Sequence, residues 1–170
     1  MQIRLTVNGK PVRADVTPRT SLADFLREAL NLTATHLGCE HGICGACTVT
    51  LNGQPIRACL TLAVACDGYE VRTLEGLLTD EIMLALRDAF HRHHGLQCGF
   101  CTPGMLVSAR DLIQRGKAGS DSEIRKGLSG NICRCTGYTD IVRSVRNAAE
   151  ALSEAGKVRS PSGDVSKVPA

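Results

Sequence analysis

The sequence predicts an α+β fold, in which a small mixed β-sheet packed on one helix precedes a small bundle of four helices. Two observations support this prediction. Apolar and polar residues alternate in short runs separated by tight turns such as Asn8-Gly9, as in half-buried strands. From Asp80 onward the apolar spacing becomes helical. We therefore predict one domain over residues 1–75, a second over 76–153, and a tail over 154–170 that is mobile or bound by a partner.

The first half is expected to combine a β-hairpin, one helix and further strands. Ser21, with Asp24 three residues later, is a capping-box-like start for an amphipathic helix that ends near Asn31. Alternating apolar residues beside Asn-Gly and Asp-Gly turns predict the strands. The predicted strands are residues 3–7, 12–16, 49–51, 56–64 and 69–73.

The second half is expected to form four helices with short connections. Thr102-Pro103 indicates an N-cap followed by proline at the first helical position, and Ser120 with Glu123 caps a short third helix. The predicted helices run from Asp80 to Gly95, from Thr102 to Gly116, from Ser120 to Leu128 and from Thr139 to Leu152.

The composition excludes several classes of protein. A net charge of +3 and 3% aromatic residues provide neither a basic surface nor a stacking platform for nucleic acid. No apolar run reaches the roughly 18 residues that a membrane span needs. Nine cysteines would suit a secreted disulfide-rich domain, but Met1 to Val7 enters a strand pattern at once and leaves no room for a signal peptide. We therefore expect a cytoplasmic protein whose thiols are metal ligands.

The most informative motif is a C-x4-C-x2-C loop closed by one more distant cysteine. This first cysteine set is Cys39, Cys44, Cys47 and Cys59. Its spacing is that of a plant-type [2Fe–2S] site, where four thiolates hold two irons and two sulfides. Residues without a Cβ let the loop amides turn toward the sulfurs. These are Gly38, Gly42 and Gly45. A zinc knuckle is the alternative, although zinc knuckles pair one C-x2-C with another such pair.

A second cysteine set lies in the helical half. It consists of Cys98, Cys101, Cys133 and Cys135. Cys101 directly precedes the helix at Thr102, and Cys135 lies just before the helix that Thr139 opens. Both ligand turns therefore present free backbone amides and a positive dipole end to one site, which suits an anionic iron–sulfur cluster. Zinc remains the alternative for this set taken alone. A Rieske centre is excluded because it replaces two cysteines by histidines.

Three motifs together resemble the signatures of the small iron–sulfur subunit of the molybdenum hydroxylases, the superfamily of xanthine dehydrogenase and aldehyde oxidase. They are GCEHGICGACTV at 38–49, QCGFCTPG at 97–104 and GNICRCTGY at 130–138. The resemblance covers residues 3–152. It implies a plant-ferredoxin-like β-grasp domain followed by a four-helix-bundle domain, each with a [2Fe–2S] cluster.

The resemblance also implies the function. The chain would be the electron-transfer subunit of a heteromeric oxidoreductase, with no catalytic residue of its own. Electrons would leave the molybdopterin cofactor of a large subunit, pass through both clusters and reach FAD in a medium subunit or another acceptor, within a heterotrimer or a dimer of heterotrimers. Gln97 and Cys135 would lie against the pterin, although Gln97 is otherwise an ordinary polar residue at a loop end. The loop of Glu40, His41 and Gly42 would approach the flavin.

Two other functions stay open at this point: a free-standing two-cluster ferredoxin-like carrier and a zinc-stabilised interaction module. Residues 35–42 look similar to those in bacterial enzymes that hydroxylate N-heteroaromatic rings, while carbon monoxide, aldehydes and acyl-CoA esters remain candidate substrates of the holoenzyme. Cys66 lies outside both sets and is expected to be a buried, inert thiol. Three histidines suit the C-terminal turn of a helix better than a metal site. These are His91, His93 and His94.

Overall fold

The computed structural model describes residues 1–158, so most of the predicted tail, residues 159–170, lies outside the described part. The strands in this part are β1 (Gln2–Val7), β2 (Lys10–Asp15), β3 (Thr48–Leu51), β4 (Gln54–Arg57) and β5 (Glu70–Arg72). They form one sheet in the order β2-β1-β5-β3-β4. β1 and β5 are parallel, and the other neighbouring pairs are antiparallel. The mixed sheet predicted from the sequence is therefore confirmed.

Both Asn-Gly turns connect antiparallel strands, as predicted. Asn8-Gly9 joins β1 to β2, Asn52-Gly53 joins β3 to β4, and all four residues have positive φ. This is the backbone that a two-residue type I′ hairpin requires. The helix between the two hairpins, α1 (Leu22–Asp24), begins where Ser21 Oγ accepts the Asp24 N–H at 3.0 Å. It continues as a π-helical turn over Phe25–Ala29.

The strand expected over 56–64 ends at Arg57, so this prediction is wrong for its second part. The Leu60 N–H donates to the Arg57 carbonyl at 3.1 Å, which turns the chain away from the sheet. The Ala58 N–H donates to the Cys47 carbonyl at 3.3 Å and brings the following Cys59 to the cysteine loop. A short 3-10 helix over Ala63–Cys66 replaces the rest of the strand.

The helical half contains α2 (Glu81–Arg92), α3 (Thr102–Gln114), α4 (Asp121–Gly127) and α5 (Thr139–Glu154). Asp80 caps α2 by accepting the Met83 N–H at 3.0 Å, and Ser120 caps α4 as predicted. The N-cap expected at Thr102 is one residue too late, because Cys101 occupies it and Thr102 is already helical. No helix within residues 1–158 is long and apolar enough to cross a bilayer.

Two separate hydrophobic cores hold these elements together. One lies between the sheet and α1 and includes Phe25, and the other lies among α2 to α5 and includes Phe90. β3 also packs on α3, so the sheet and the helices meet directly. The two cores place the first cysteine set beside the sheet and the second at the start of α3 and α5. The domain boundary at residue 75 stays a prediction.

Candidate metal centres

The first cysteine loop turns backbone N–H groups toward sulfur. Cys39 Sγ accepts the N–H of Cys44 at 3.3 Å and that of His41 at 3.4 Å. These hydrogen bonds, first the one from Cys44, lower the pKa of Cys39 to about 6. Glu40, which lies between Cys39 and His41, has positive φ, an uncommon backbone conformation for a residue with a Cβ. The loop thus stabilises negative charge on a cysteine sulfur, as a metal thiolate requires.

The three loop glycines each leave room for a close neighbour, and two of them also need the backbone freedom of glycine. A Cβ on Gly42 would lie 2.3 Å from Leu60 Cδ1, and one on Gly45 would lie 2.4 Å from the Gly130 carbonyl oxygen. Both also have positive φ. Gly38 is different, since its Cβ would lie 3.2 Å from Cys44 Sγ. A side chain at 38 would therefore press on a candidate ligand.

The four thiols of the first set are arranged as two pairs. The Cys44 thiol hydrogen-bonds to Cys39 Sγ, and the Cys47 thiol hydrogen-bonds to Cys59. Burial raises the pKa of Cys47 to about 11, and the neighbouring Cys59 adds to this increase. Cys59 thus lies next to Cys47, and its role as the fourth ligand stays a prediction.

The second cysteine set is paired in the same way, although its members come from two separate loops. Cys135 Sγ lies 3.4 Å from Cys98 Sγ, and the Cys101 thiol hydrogen-bonds to Cys133. The Phe100 N–H and then the Cys135 thiol lower the pKa of Cys98, and donation to Cys98 raises that of Cys135. Burial raises the pKa of Cys101 to about 12.

Paired thiols suit a binuclear centre. Within residues 1–158, no group of three or more His, Cys, Asp or Glu side chains is gathered closely enough for one metal ion. Structural zinc needs four ligands around a single ion, whereas a [2Fe–2S] cluster divides four cysteines between two irons. The residues of both sets therefore fit a [2Fe–2S] cluster.

Cys133 has polar neighbours that the sequence analysis assigned no role. Its Sγ lies 3.2 Å from Thr136 Oγ1, and its N–H donates to the phenolic oxygen of Tyr138 at 2.9 Å. Both residues follow Cys133 within one motif, in a turn where Gly137 and Tyr138 have positive φ. Only the three-dimensional structure reveals these contacts.

The second set is open to the surface. Cys98, Cys135 and Gln97 are exposed, and so are the neighbouring apolar side chains of Leu96 and Phe100. The structure thus places Gln97 and Cys135 at the same end of the helical half. His36 reaches this end from the other half, because its Nδ1–H donates to the Phe100 carbonyl at 2.7 Å and its ring stacks on Phe100.

The first loop also has an exposed apolar edge. Glu40 and His41 are exposed, and the side chains of Ile43 and Leu60 are 65% and 61% exposed. In contrast Cys66 is fully buried, its thiol donates to the Leu62 carbonyl at 3.6 Å, and burial raises its pKa. It joins neither thiol set, in agreement with the prediction.

Comparisons with known proteins agree with these two centres. A family model described as "2Fe-2S iron-sulfur cluster binding domain" matches residues 5–70, and one described as "[2Fe-2S] binding domain" matches residues 73–146. The chain is 51% identical over 150 residues to caffeine dehydrogenase subunit gamma of Pseudomonas sp. (strain CBB1), covering 86% of this chain and 90% of that one.

Two further similarities extend over nearly the whole chain. The nicotine 6-hydroxylase small subunit of Paenarthrobacter nicotinovorans is 48% identical over 148 residues, covering 87% of this chain and 89% of that one. The solved structure of quinoline 2-oxidoreductase from Pseudomonas putida 86 matches with a TM-score of 0.85 and 49% identity, over 93% of this chain and 98% of the matched chain.

Proposed function

The chain belongs to the small iron–sulfur subunits of the molybdenum hydroxylases, and from this premise we propose that its eight paired cysteines hold two [2Fe–2S] clusters in a relay between a molybdopterin and a flavin. It is thus the electron-transfer subunit of a multi-subunit oxidoreductase. When bound, each such cluster takes up and releases one electron at a time. The observation that carries the proposal is the division of each cysteine set into two thiol pairs.

We further propose which cysteines share an iron. In the first set we assign one iron to Cys39 and Cys44 and the other to Cys47 and Cys59. In the second set we assign one iron to Cys98 and Cys135 and the other to Cys101 and Cys133. Contact between the thiols of each pair supports these assignments. The chain's own role is to hold the thiolates, to direct N–H groups at them and to limit their contact with water.

The two exposed edges suit two different partners. The end with Gln97, Cys98 and Cys135 would dock on a large molybdopterin-binding subunit, so that Gln97 and Cys135 meet the pterin. The edge with Ile43 and Leu60 would dock on a medium FAD-binding subunit. Exposed apolar side chains near each set support these placements: Leu96 and Phe100 at the first edge, and Ile43 and Leu60 at the second.

The finer fold assignment is also part of the proposal. We assign residues 1–75 to a plant-ferredoxin-like β-grasp domain and residues 76–153 to a four-helix-bundle domain. Two separate hydrophobic cores on either side of this boundary support the division. We also propose a cytoplasmic location, which is supported by nine cysteines of which none forms a disulfide.

The holoenzyme is proposed to hydroxylate an N-heteroaromatic ring. Three relatives at 48–51% identity carry the names of caffeine, nicotine and quinoline enzymes, and all three compounds contain a nitrogen heterocycle. The substrate pocket itself would lie on the large subunit. This chain supplies only the exit for electrons.

Metal analysis and electron paramagnetic resonance (EPR) test the proposed function. The complex purified with its partner subunits should contain four irons and four acid-labile sulfides for each copy of this chain, and after reduction it should show two [2Fe–2S] signals. Cys44→Ala should remove one signal and Cys101→Ala the other. Zinc in place of iron, or a single signal at full occupancy, would contradict the proposal. Purification of the chain alone, without molybdenum and flavin, would favour a free-standing carrier.

A further inference from the structure

We propose that the hydroxyl group of Thr136, oriented by Tyr138, donates a hydrogen bond to the Cys133 sulfur and thereby raises the reduction potential of the cluster held by the second cysteine set. This inference rests on the proposed function, because it takes Cys133 as a cluster ligand. It assigns Thr136 and Tyr138 as positioning residues that act through Cys133.

The direction of the hydrogen bond follows from its neighbours. Thr136 Oγ1 lies 3.2 Å from Cys133 Sγ and also 3.2 Å from the backbone nitrogen of Tyr138. The Tyr138 N–H can only donate, so it occupies a lone pair of the threonine oxygen. A thiolate that binds metal has no proton to give. The hydroxyl hydrogen of Thr136 therefore points at the sulfur.

A third hydrogen bond closes a ring around Cys133. The Cys133 N–H donates to the phenolic oxygen of Tyr138 at 2.9 Å. The ring thus runs from the Cys133 N–H to the Tyr138 side chain, from the Tyr138 N–H to Thr136, and from the Thr136 hydroxyl back to Cys133 Sγ. Each member fixes the next, and Tyr138 is also packed against the helical core. The threonine hydroxyl is thereby preorganised rather than free to rotate.

The backbone of Tyr138 indicates that this arrangement is maintained at a cost. Tyr138 has φ of 68°, in the left-handed region that a residue with a Cβ rarely adopts. Such strain persists only where the surroundings over-determine the conformation, and it is concentrated at functional sites. With an extended backbone at 138, its N–H would not meet Thr136 Oγ1 while its ring meets the Cys133 N–H.

Thr136 is distinct from the donors in the first cysteine set. At Cys39 the donors other than a thiol are the backbone N–H groups of His41 and Cys44. Among the hydrogen bonds found within residues 1–158, Thr136 provides the side-chain hydroxyl that contacts a proposed ligand sulfur. A side-chain donor can be removed by substitution, so its effect is measurable.

The expected direction of the effect follows from charge. Reduction adds one electron and no proton to the cluster, and the added negative charge lies partly on the ligand sulfurs. A hydrogen bond to sulfur therefore stabilises the reduced form more than the oxidised form and raises the potential. Removing the donor should lower it.

The test is a redox titration of the complete complex followed by EPR, with three variants of the chain. Thr136→Val keeps the side-chain shape without the donor, and the equilibrium constant for reduction of the second cluster should fall about tenfold, which is 59 mV for one electron. Thr136→Ser keeps the hydroxyl, and the potential of the second cluster should stay close to that of the unmodified complex. Thr139→Val, at the exposed first residue of α5, is the matched control and should have no effect.

The first cluster provides an internal reference, and its potential should not change in any variant. An unchanged second potential in Thr136→Val, with both clusters at full occupancy, would overturn the inference and leave the proposed function intact. If Thr136→Val fails to assemble the second cluster, Thr136→Ala takes its place with the same expectation. Loss of the second cluster in both would also overturn the inference, because it confines Thr136 to tuning an assembled cluster. Absence of a second cluster from the unmodified complex would instead refute the proposed function.

Discussion

The backbone N–H of Ile132 donates to the carbonyl oxygen of Cys44 at 2.8 Å. Ile132 directly precedes Cys133, so one hydrogen bond joins the two cysteine loops next to a proposed ligand of each cluster. The loops meet because side chains are missing at the contact. A Cβ on Gly45 would lie 2.4 Å from the Gly130 carbonyl, and a Cβ on Gly104 would lie 2.2 Å from the Gly45 carbonyl. This glycine contact therefore holds the two cysteine loops side by side.

Gly45→Ala should disrupt the contact, and Gly53→Ala is its matched control. Both glycines have positive φ, so alanine costs each about 1–2 kcal/mol of backbone strain. Only at 45 does the new methyl group meet backbone, since nothing lies within 4 Å at 53. We expect Gly45→Ala to lose about 1–3 kcal/mol more than the control, together with first-cluster iron. Denaturant unfolding and iron content measure this; equal losses in the two variants would contradict it.

Asn131 links the same loops through its side chain, and Asn131→Leu should weaken that link. Its amide, buried at 3% exposure, accepts from Ser108 Oγ at 2.8 Å and donates to the Gly45 carbonyl at 3.1 Å. Leucine leaves the Ser108 hydroxyl and the Gly45 carbonyl with fewer hydrogen-bond partners. We therefore expect the free energy of unfolding to fall by about 1–3 kcal/mol. The magnetic interaction between the two reduced clusters should also change in EPR.

Asn147→Leu is the control for Asn131→Leu. Within residues 1–158, the Asn147 amide donates to the Arg143 carbonyl of its own helix and does not reach a cysteine loop. It should cost less than about 1 kcal/mol and leave the interaction between the clusters unchanged. Similar changes in unfolding free energy and in the magnetic interaction in both variants would show that the Asn131 side chain does not link the two loops.

Cys59→Ser and Cys66→Ser should separate a ligand from a packing thiol. Cys59 contacts Cys47, whereas the hydrogen bond of the Cys66 thiol within residues 1–158 goes to the Leu62 carbonyl. We expect Cys59→Ser to lose the first EPR signal and keep the second. Cys66→Ser should keep both signals, with a stability loss of about 1–2 kcal/mol from burying a hydroxyl. A missing signal in Cys66→Ser would show that the ligand set is wrong.

Sequence patterns predicted the hairpins and the helix caps, and they missed the point where the fourth strand ends. Alternation and Asn-Gly turns located both hairpins, and the caps at Ser21 and Ser120 are local hydrogen bonds that the structure confirms. The strand end at Arg57 leaves no mark in the apolar pattern of residues 56–64, because it is made by a turn in which the Leu60 N–H donates to the Arg57 carbonyl.

The candidate site shows the same division. Cysteine spacing identifies the thiol sets, since three ligands of the first set lie on one short loop. The roles of Thr136 and Asn131 are not readable from spacing, although both lie in a recognised motif. Thr136 contacts the Cys133 sulfur in a turn where Gly137 and Tyr138 have positive φ, and Asn131 meets Gly45 only after the two halves pack together. Neither condition leaves a periodic signal in the sequence.

Asp80→Asn should reveal a pH-dependent contribution to stability. Asp80 Oδ2 pairs with Arg110 at 2.7 Å, with the two side chains only 24% and 16% exposed. Burial acts to raise the pKa of Asp80, but Arg110 and the Met83 N–H lower it on balance. The folded pKa is thus below the unfolded value of about 3.9. The carboxylate therefore stabilises the fold fully above about pH 4, and this contribution is lost as the pH falls through the folded pKa.

Asparagine can still cap α2, so Asp80→Asn removes mainly the ion pair. We expect a loss of about 1–3 kcal/mol at pH 7, between the values for exposed and buried pairs. Asp88→Asn is the control, because Asp88 pairs with Arg92 on the exposed face of the same helix and should contribute less than about 1 kcal/mol. Thermal unfolding of the variants from pH 7 down to pH 3 measures both. The difference in unfolding free energy between the unmodified chain and Asp80→Asn should stay constant down to about pH 5 and shrink below pH 4. If this difference in unfolding free energy grew on acidification, the ionised Asp80 carboxylate could not be the source of the stability.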